Sequence, residues 1–226
     1  MGHLFFNDAK GFYEQGKLAM EEQRFADAVQ AFRSSASLEL TVEALLGLGV
    51  SALITGEIDE GMEALERAYE LAPQDTRTMM TLTTSYLRLG DAEMAIAIAQ
   101  EYIKKSAEPL DGYLALVEAY LSVGEYNDAK RSITRALKLA PDNLSVHFMA
   151  SRVWMELDEY KKALREAEHA VRLAPDNPQA HFIRGTALAA LERYAEALPE
   201  IQWMVDADPT FSSALRSKGI ALYYLG

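Results

Sequence analysis

Three Leu-Ala-Pro triplets, Leu71-Ala72-Pro73, Leu139-Ala140-Pro141 and Leu173-Ala174-Pro175, put this chain on a fixed period. Ala207-Asp208-Pro209 follows in step: Pro141, Pro175 and Pro209 are spaced by 34 residues, and Pro73 lies 68 before Pro141. A unit this short cannot bury its hydrophobic face alone, so it must stack on copies of itself. With each proline at position 32, units begin at Val42, Thr76, Leu110, Leu144 and Pro178. A copy one residue shorter begins at Ala9, and half of a seventh begins at Ser212. The unit from Thr76 departs most: Ala107 takes the place of its proline, and Pro109 comes two residues late.

The aligned columns have a packing logic. Position 8 holds Gly16, Gly49, Gly185 and Gly219, with Thr83, Val117 and Ser151 in the other copies. Position 20 holds Ala28, Gly61, Ala95, Ala129, Ala163 and Ala197. Small residues at two such places let antiparallel helices approach closely. Position 24 reads Phe32, Leu65, Ala99, Ile133, Ala167 and Ile201, and position 17 reads Phe25, Ile58, Tyr126, Tyr160 and Tyr194. These larger groups are expected to fill the seams between pairs. First helices are expected over 8–22, 43–55, 77–89, 111–123, 145–157, 179–191 and 213–225. Second helices are expected over 25–38, 58–71, 92–106, 126–139, 160–173 and 194–207. Gly90 and Gly124 fall at turns, where a left-handed cap costs glycine least. Pro199 lies inside a second helix and is expected to bend it. Thr81-Leu82-Thr83-Thr84-Ser85 is a poor helix former that needs tertiary support.

With a small residue at position 8, Ala at 20, an apolar residue at 24 and Pro at 32, the chain resembles the tetratricopeptide repeat family from Ala9 onward. The resemblance implies an all-α solenoid, a right-handed superhelix of antiparallel helix pairs, with six full repeats and a half repeat. It implies one superhelical domain over 9–226 and a separate segment over 1–8. Apolar Ile220, Leu222 and Tyr223 on the half repeat favour an array that runs on past Gly226 over a finished cap.

Composition excludes several classes. Lys and Arg number 22 against 34 Asp and Glu, a net charge of −12 that repels phosphate backbones and anionic lipid. Nucleic acid is therefore not an expected partner, and the 13-residue uncharged run from Ala44 to Gly56 is too short to insert in a membrane. The absence of cysteine excludes disulfides, thiolate metal sites and cysteine nucleophiles. The first residues lack a signal-peptide pattern, so a cytoplasmic location is expected, or an envelope one if a leader has been removed.

No motif requires an enzyme, a metal or a cofactor. Gly47-Leu48-Gly49-Val50-Ser51-Ala52 spells a dinucleotide fingerprint, but it falls in mid-helix, where no strand delivers a backbone to a pyrophosphate. His147 and His181 share position 4 of adjacent repeats, where the family carries a large aromatic residue, and are expected to be structural. The repeat from Val42 to Asp75 carries eight carboxylates against Arg67 alone. Those on its second helix read either as a solvated face or as a docking patch for a basic partner.

In the family, ligand contacts recur at positions 2, 5, 6, 9, 12 and 13 of the first helices. Carried to this chain, position 5 is Tyr13, Leu46, Met80, Leu114, Phe148 and Phe182; position 6 adds Met149 and Ile183. Position 9 contributes Val50, Thr84, Glu118 and Arg152. Tyr13, Gly47 and Thr81 stand where family members that clamp a chaperone's terminal carboxylate need Lys or Asn, so that activity does not carry over. The expectation is an interaction scaffold that holds a peptide or helix of a partner protein by apolar anchors. Similar arrays serve secretion, pilus, polysaccharide and complex assembly, and the repeats are bacterial in style. The alternatives are the targeting region of a larger enzyme, or a homo-oligomer whose Leu4-Phe5-Phe6 segment fills the groove of another copy.

Overall fold

The computed structural model describes residues 8–226, which contain thirteen α-helices and no strand. The first helices are α1 (Ala9–Glu21), α3 (Val42–Thr55), α5 (Thr76–Leu89), α7 (Leu110–Ser122), α9 (Leu144–Glu156), α11 (Pro178–Ala190) and α13 (Ser212–Leu225). The second helices are α2 (Phe25–Leu38), α4 (Ile58–Leu71), α6 (Ala92–Lys105), α8 (Tyr126–Leu139), α10 (Tyr160–Leu173) and α12 (Tyr194–Ala207). By contacts the chain separates into two compact units, one ending at Ala115 and the other starting at Leu116, a boundary inside α7. The Leu4-Phe5-Phe6 segment lies outside the described residues.

Every helix pair is closed by one turn geometry. Position 15 is left-handed in each repeat: Gly56, Gly90 and Gly124 at φ of 88°, 81° and 76°, and Gln23, Asp158 and Glu192 at 58°, 56° and 61°. The next amide then donates back to the carbonyl at position 11, as from Arg24 to Ala19 at 2.8 Å, Glu57 to Ala52 at 2.9 Å and Arg193 to Leu188 at 3.0 Å. This 6→1 bond satisfies a carbonyl that the helix end leaves free; α2, α4, α8, α10 and α12 start without a side-chain cap, whereas Asp91 caps α6 by accepting the Met94 N–H at 3.1 Å.

The turn between repeats works differently. Thr41, Asp75, Asn143 and Asn177 each accept a backbone N–H from the first turn of the following helix, the last at 2.9 and 3.2 Å. In the second unit, histidines tie this turn down. A carbonyl only accepts, so His147 donates from Nε2 to the Pro141 carbonyl at 2.7 Å, with its Nδ1 2.9 Å from Glu166 of α10. His181 repeats the joint with the Pro175 carbonyl and Glu200 of α12, both at 2.7 Å. The rings stack on His169 and Trp203 at centroid separations of 4.1 and 4.2 Å.

Within a pair the packing is steric. A Cβ on Gly49 would lie 3.0 Å from the Gly61 carbonyl and 2.5 Å from Leu65, so positions 8, 20 and 24 meet at one point. The same meeting recurs at Gly185, whose Cβ would lie 2.7 Å from Ile201 and 3.1 Å from the Ala197 carbonyl. In the fifth repeat Ser151 uses the space for a hydroxyl that donates to the Ala163 carbonyl at 3.1 Å. Phe32, Leu65, Ala99, Ile133, Ala167 and Ile201 are all buried, as position 24 requires. Position 17 fills the seams only in part: Phe25, Tyr126, Tyr160 and Tyr194 are half-buried and Ile58 is exposed at their helix starts, while Tyr194 stacks on Tyr224 of α13 at 4.6 Å.

In the first unit, α1 packs on α2 and α3, and α3 on α4 and α5; in the second, α9 packs on α10 and α11, and α11 on α12 and α13. The poor helix former is held as expected. Leu82 and Thr83 are buried, and the Thr83, Thr84 and Ser85 hydroxyls donate to carbonyls one turn back at 2.8, 3.0 and 2.8 Å. The helix α12 continues through Pro199.

Two substitutions check this account. Ala163→Leu must push the helices apart and should cost about 1–3 kcal/mol, while Glu63→Gln on an exposed face should stay within about 0.5 kcal/mol. Thermal melts that place the two together would disprove the position-20 contact. Glu192→Gly should raise the melting transition, since a left-handed non-glycine residue costs roughly 1 kcal/mol, and Gly90→Ala should lower it.

Candidate functional site

On the first helices, side chains that do not face their own second helix are left to face outward, and the predicted contact positions fall among these. In the first unit two of them, Tyr13 and Leu46, rest on the core. Tyr13 is half-buried, tilts against Phe32 at 5.8 Å and lies under the Lys17 ammonium, while Leu46 rests on the same core. Val50, Met80 and Leu114 are half-buried as well. Thr84 is exposed, and its hydroxyl is spent on the Met80 and Thr81 carbonyls at 3.0 and 2.9 Å.

The second unit is different. Glu118 is exposed on α7. Phe148, Met149 and Arg152 of α9 and Ile183 of α11 line one cleft of about 320 Å³, joined by Met155, Gln179 and Thr186. The volume lies at the lower end of the range of ligand pockets, roughly 300–1,000 Å³. Phe148, Met149, Met155 and Ile183 supply half-buried apolar surface. Arg152 is exposed at the mouth and, among the described residues, makes no hydrogen bond or ion pair. A concave apolar wall beside a free guanidinium suits an apolar side chain next to a carboxylate.

Phe182 is not part of this wall, contrary to the sequence-based expectation. It is only 8% exposed and meets Phe211 edge-on, with ring centroids 5.5 Å apart. Phe211 precedes α13 at the place where other turns carry Asp, Asn or Thr, and its ring covers the position-5 side chain behind it. Ile183, one residue on, takes the groove position instead. Thr186 falls at position 9 of the expected contact register, and Gln179, at position 2, is the lining residue that the residue-by-residue expectation did not name.

Nothing in the site gathers metal ligands: no group of three or more His, Asp or Glu residues able to hold an ion occurs among the described residues. His147 and His181 are each committed to their own inter-repeat joint. The Gly47-x-Gly49 pair is a packing feature, since Cβ atoms there would strike Phe32 and Leu65 at 2.6 and 2.5 Å. No helix of the described residues is long and apolar enough to cross a membrane.

Two family models, both for the tetratricopeptide repeat, match residues 13–76 and 120–191, together more than half of the chain. This chain belongs to the tetratricopeptide repeat family. No curated protein sequence matches it significantly. Among solved structures, this tetratricopeptide repeat protein is similar to pilF of Pseudomonas aeruginosa, with TM-score 0.76 and 14% identity over 93% of this chain and 96% of that one. It is similar to a chain of the APC/C hetero-tetramer Cut9-Hcn1, with TM-score 0.74 and 16% identity over 96% of this chain. It spans only 43% of that relative. It is also similar to YrrB, described as a TPR protein with an unusual peptide-binding site, with TM-score 0.62 and 16% identity over 85% of this chain and 100% of that one. At these identities the likeness is one of fold.

The two phenylalanines at position 5 should separate experimentally. Phe182→Ala empties a buried site and should cost about 3–5 kcal/mol. Phe148→Ala, at the edge of the cleft, should cost less than about 1 kcal/mol. Chemical denaturation of the two variants side by side decides the matter, and equal losses would contradict the different burial of the two rings.

Proposed function

We propose that this tetratricopeptide repeat protein is a non-enzymatic scaffold that seats an apolar side chain of a partner's peptide or helix between α9 and α11. Proteins of this family are generally protein-interaction scaffolds. The observation that carries the specific reading is the cleft itself: Phe148, Met149, Met155 and Ile183 form its wall, and Arg152 stands unpaired at its mouth. Two methionines of α9, Met149 and Met155, make the wall adaptable, because the thioether chain repacks around anchors of different shape. Arg152 sets polarity, favouring an anchor followed by an acidic residue or a chain terminus. The similarity in fold to a subunit of a hetero-tetramer and to a protein described by its peptide-binding site supports a role in assembling a larger complex.

The test starts from the partner captured by the full chain from the organism that encodes it. Phe148→Ala should weaken binding of that partner about thirtyfold, the size typical of an aromatic anchor worth roughly 2 kcal/mol. Arg152→Glu should weaken it as well, and Glu196→Gln on α12 should leave it unchanged. If the first two variants bind with wild-type affinity, this cleft is not the binding site.

A further inference from the structure

The outer faces of two second helices carry opposite charge in the same register. Positions 18, 22 and 29 are four and then seven residues apart, which puts them within about 40° of one another around a helix and along roughly 16 Å of its axis. On α4 these positions are Asp59, Glu63 and Glu70; on α10 they are Lys161, Arg165 and Arg172. All six are exposed, and none makes a hydrogen bond or ion pair among the described residues. No other second helix completes either set. The nearest is α8, with Asn127, Arg131 and Lys138, and its Arg131 is taken by Asp128.

The charges between these positions do not reverse the sign of either face. On α4, Glu60 accepts from Arg33 at 2.7 Å, Glu66 accepts the Tyr86 hydroxyl at 2.7 Å, and Arg67 is the one cation. On α10, Lys162 is paired with Glu159, Glu166 lies 2.9 Å from His147, and Glu168 is the one exposed acid. Asp142, in the turn after α8, reaches His169 at 3.9 Å. Burial, with His147 and Arg172 nearby, holds the His169 imidazole below its usual pKa, so at neutral pH it adds no charge. Arg67 and Glu168, the two exceptions, are themselves opposite in sign. An exposed leucine follows each row at position 30, Leu71 on α4 and Leu173 on α10.

We propose that these faces are the two halves of an interface between copies of this chain: α4 of one copy lies along α10 of another in parallel register. Asp59, Glu63 and Glu70 then meet Lys161, Arg165 and Arg172, and Leu71 meets Leu173. Charge complementarity selects this occupant, because each face finds its complement at the same three positions of the other, with a leucine at the same end. The net charge of −12 opposes the contact only at long range, since charges are screened over about 8 Å at physiological salt. A phosphate polymer or an anionic lipid surface would instead extend past α10 onto the acidic remainder of the chain. Exposed ion pairs are individually weak, so the association is weak and sensitive to salt. The contact joins unlike faces and every copy carries both, so copies close into a reciprocal pair or a ring, or continue.

The experiment is sedimentation velocity of the full chain over a range of micromolar concentrations. Association should rise with concentration in about 0.15 M NaCl and weaken roughly tenfold or more in about 1 M NaCl, where the screening length falls to about 3 Å. One variant carries Glu63→Lys with Glu70→Lys, and a second carries Arg165→Glu with Arg172→Glu. Each should self-associate roughly tenfold more weakly than wild type, the first despite its smaller net negative charge. An equimolar mixture of the two should associate again, because the reversed α4 of one meets the reversed α10 of the other. All four positions are exposed, so circular dichroism should show unchanged melting; if one variant melts early, the other decides together with the salt series. A chain that stays monomeric at every concentration, association indifferent to salt or to both reversals, or a mixture that stays dissociated would overturn the proposal.

Discussion

Where glycine stands at position 8 opposite position 20, as at Gly49 and Gly185, the distance between the paired backbones is set by the absence of a side chain. Between Gly49 and Gly61 an added Cβ would come within 3.0 Å of the opposite carbonyl, and Ser151 bridges the same gap with a hydroxyl bonded to the Ala163 carbonyl. Close approach at this point brings position 24 of the second helix under the first, which is why Leu65 and Ile201 are wholly buried. Packing of this kind is steric before it is energetic, and interiors at native density have no spare volume with which to absorb a larger group.

Two kinds of turn then make the pair repeatable. The turn inside a pair is solved mainly by backbone, through a left-handed residue and a 6→1 bond, and it tolerates Gln23, Asp158 and Glu192 at a cost in conformational energy. The turn between pairs needs side chains: an Asp, Asn or Thr cap, and in the second unit a histidine that joins the preceding proline carbonyl to the following second helix. Those histidines belong to the frame. Among the outer positions of the first helices the burden is uneven: Phe182 is buried and Gly47 is sterically fixed, whereas Phe148, Met149 and Arg152 are open enough to vary.

The cleft of the second unit illustrates what such freedom yields. In the second unit an apolar wall and one unpaired arginine face outward between α9 and α11. In the first unit a leucine replaces the inter-repeat proline beside a helix with five carboxylates.

How much was legible in the sequence depended on the range of the interaction involved. The period, the helix order and almost every helix end follow from contacts inside one repeat: proline and glycine positions, caps, and the small residues at 8 and 20. These recur, so each copy corrects the reading of the others; even the irregular third repeat ends its second helix at Lys105, one residue from expectation. Which side chains remain on the surface was decided by tertiary structure. Phe148 and Phe182 occupy the same register position, yet Phe211, a non-repeating residue of the next turn, covers only the second. Position 17 was read as seam filler and is half-open to solvent, and the division of packing inside α7 leaves the repeat register untouched. A periodic sequence specifies the neighbours that every repeat shares, whereas exposure is settled by the neighbours that only one repeat has.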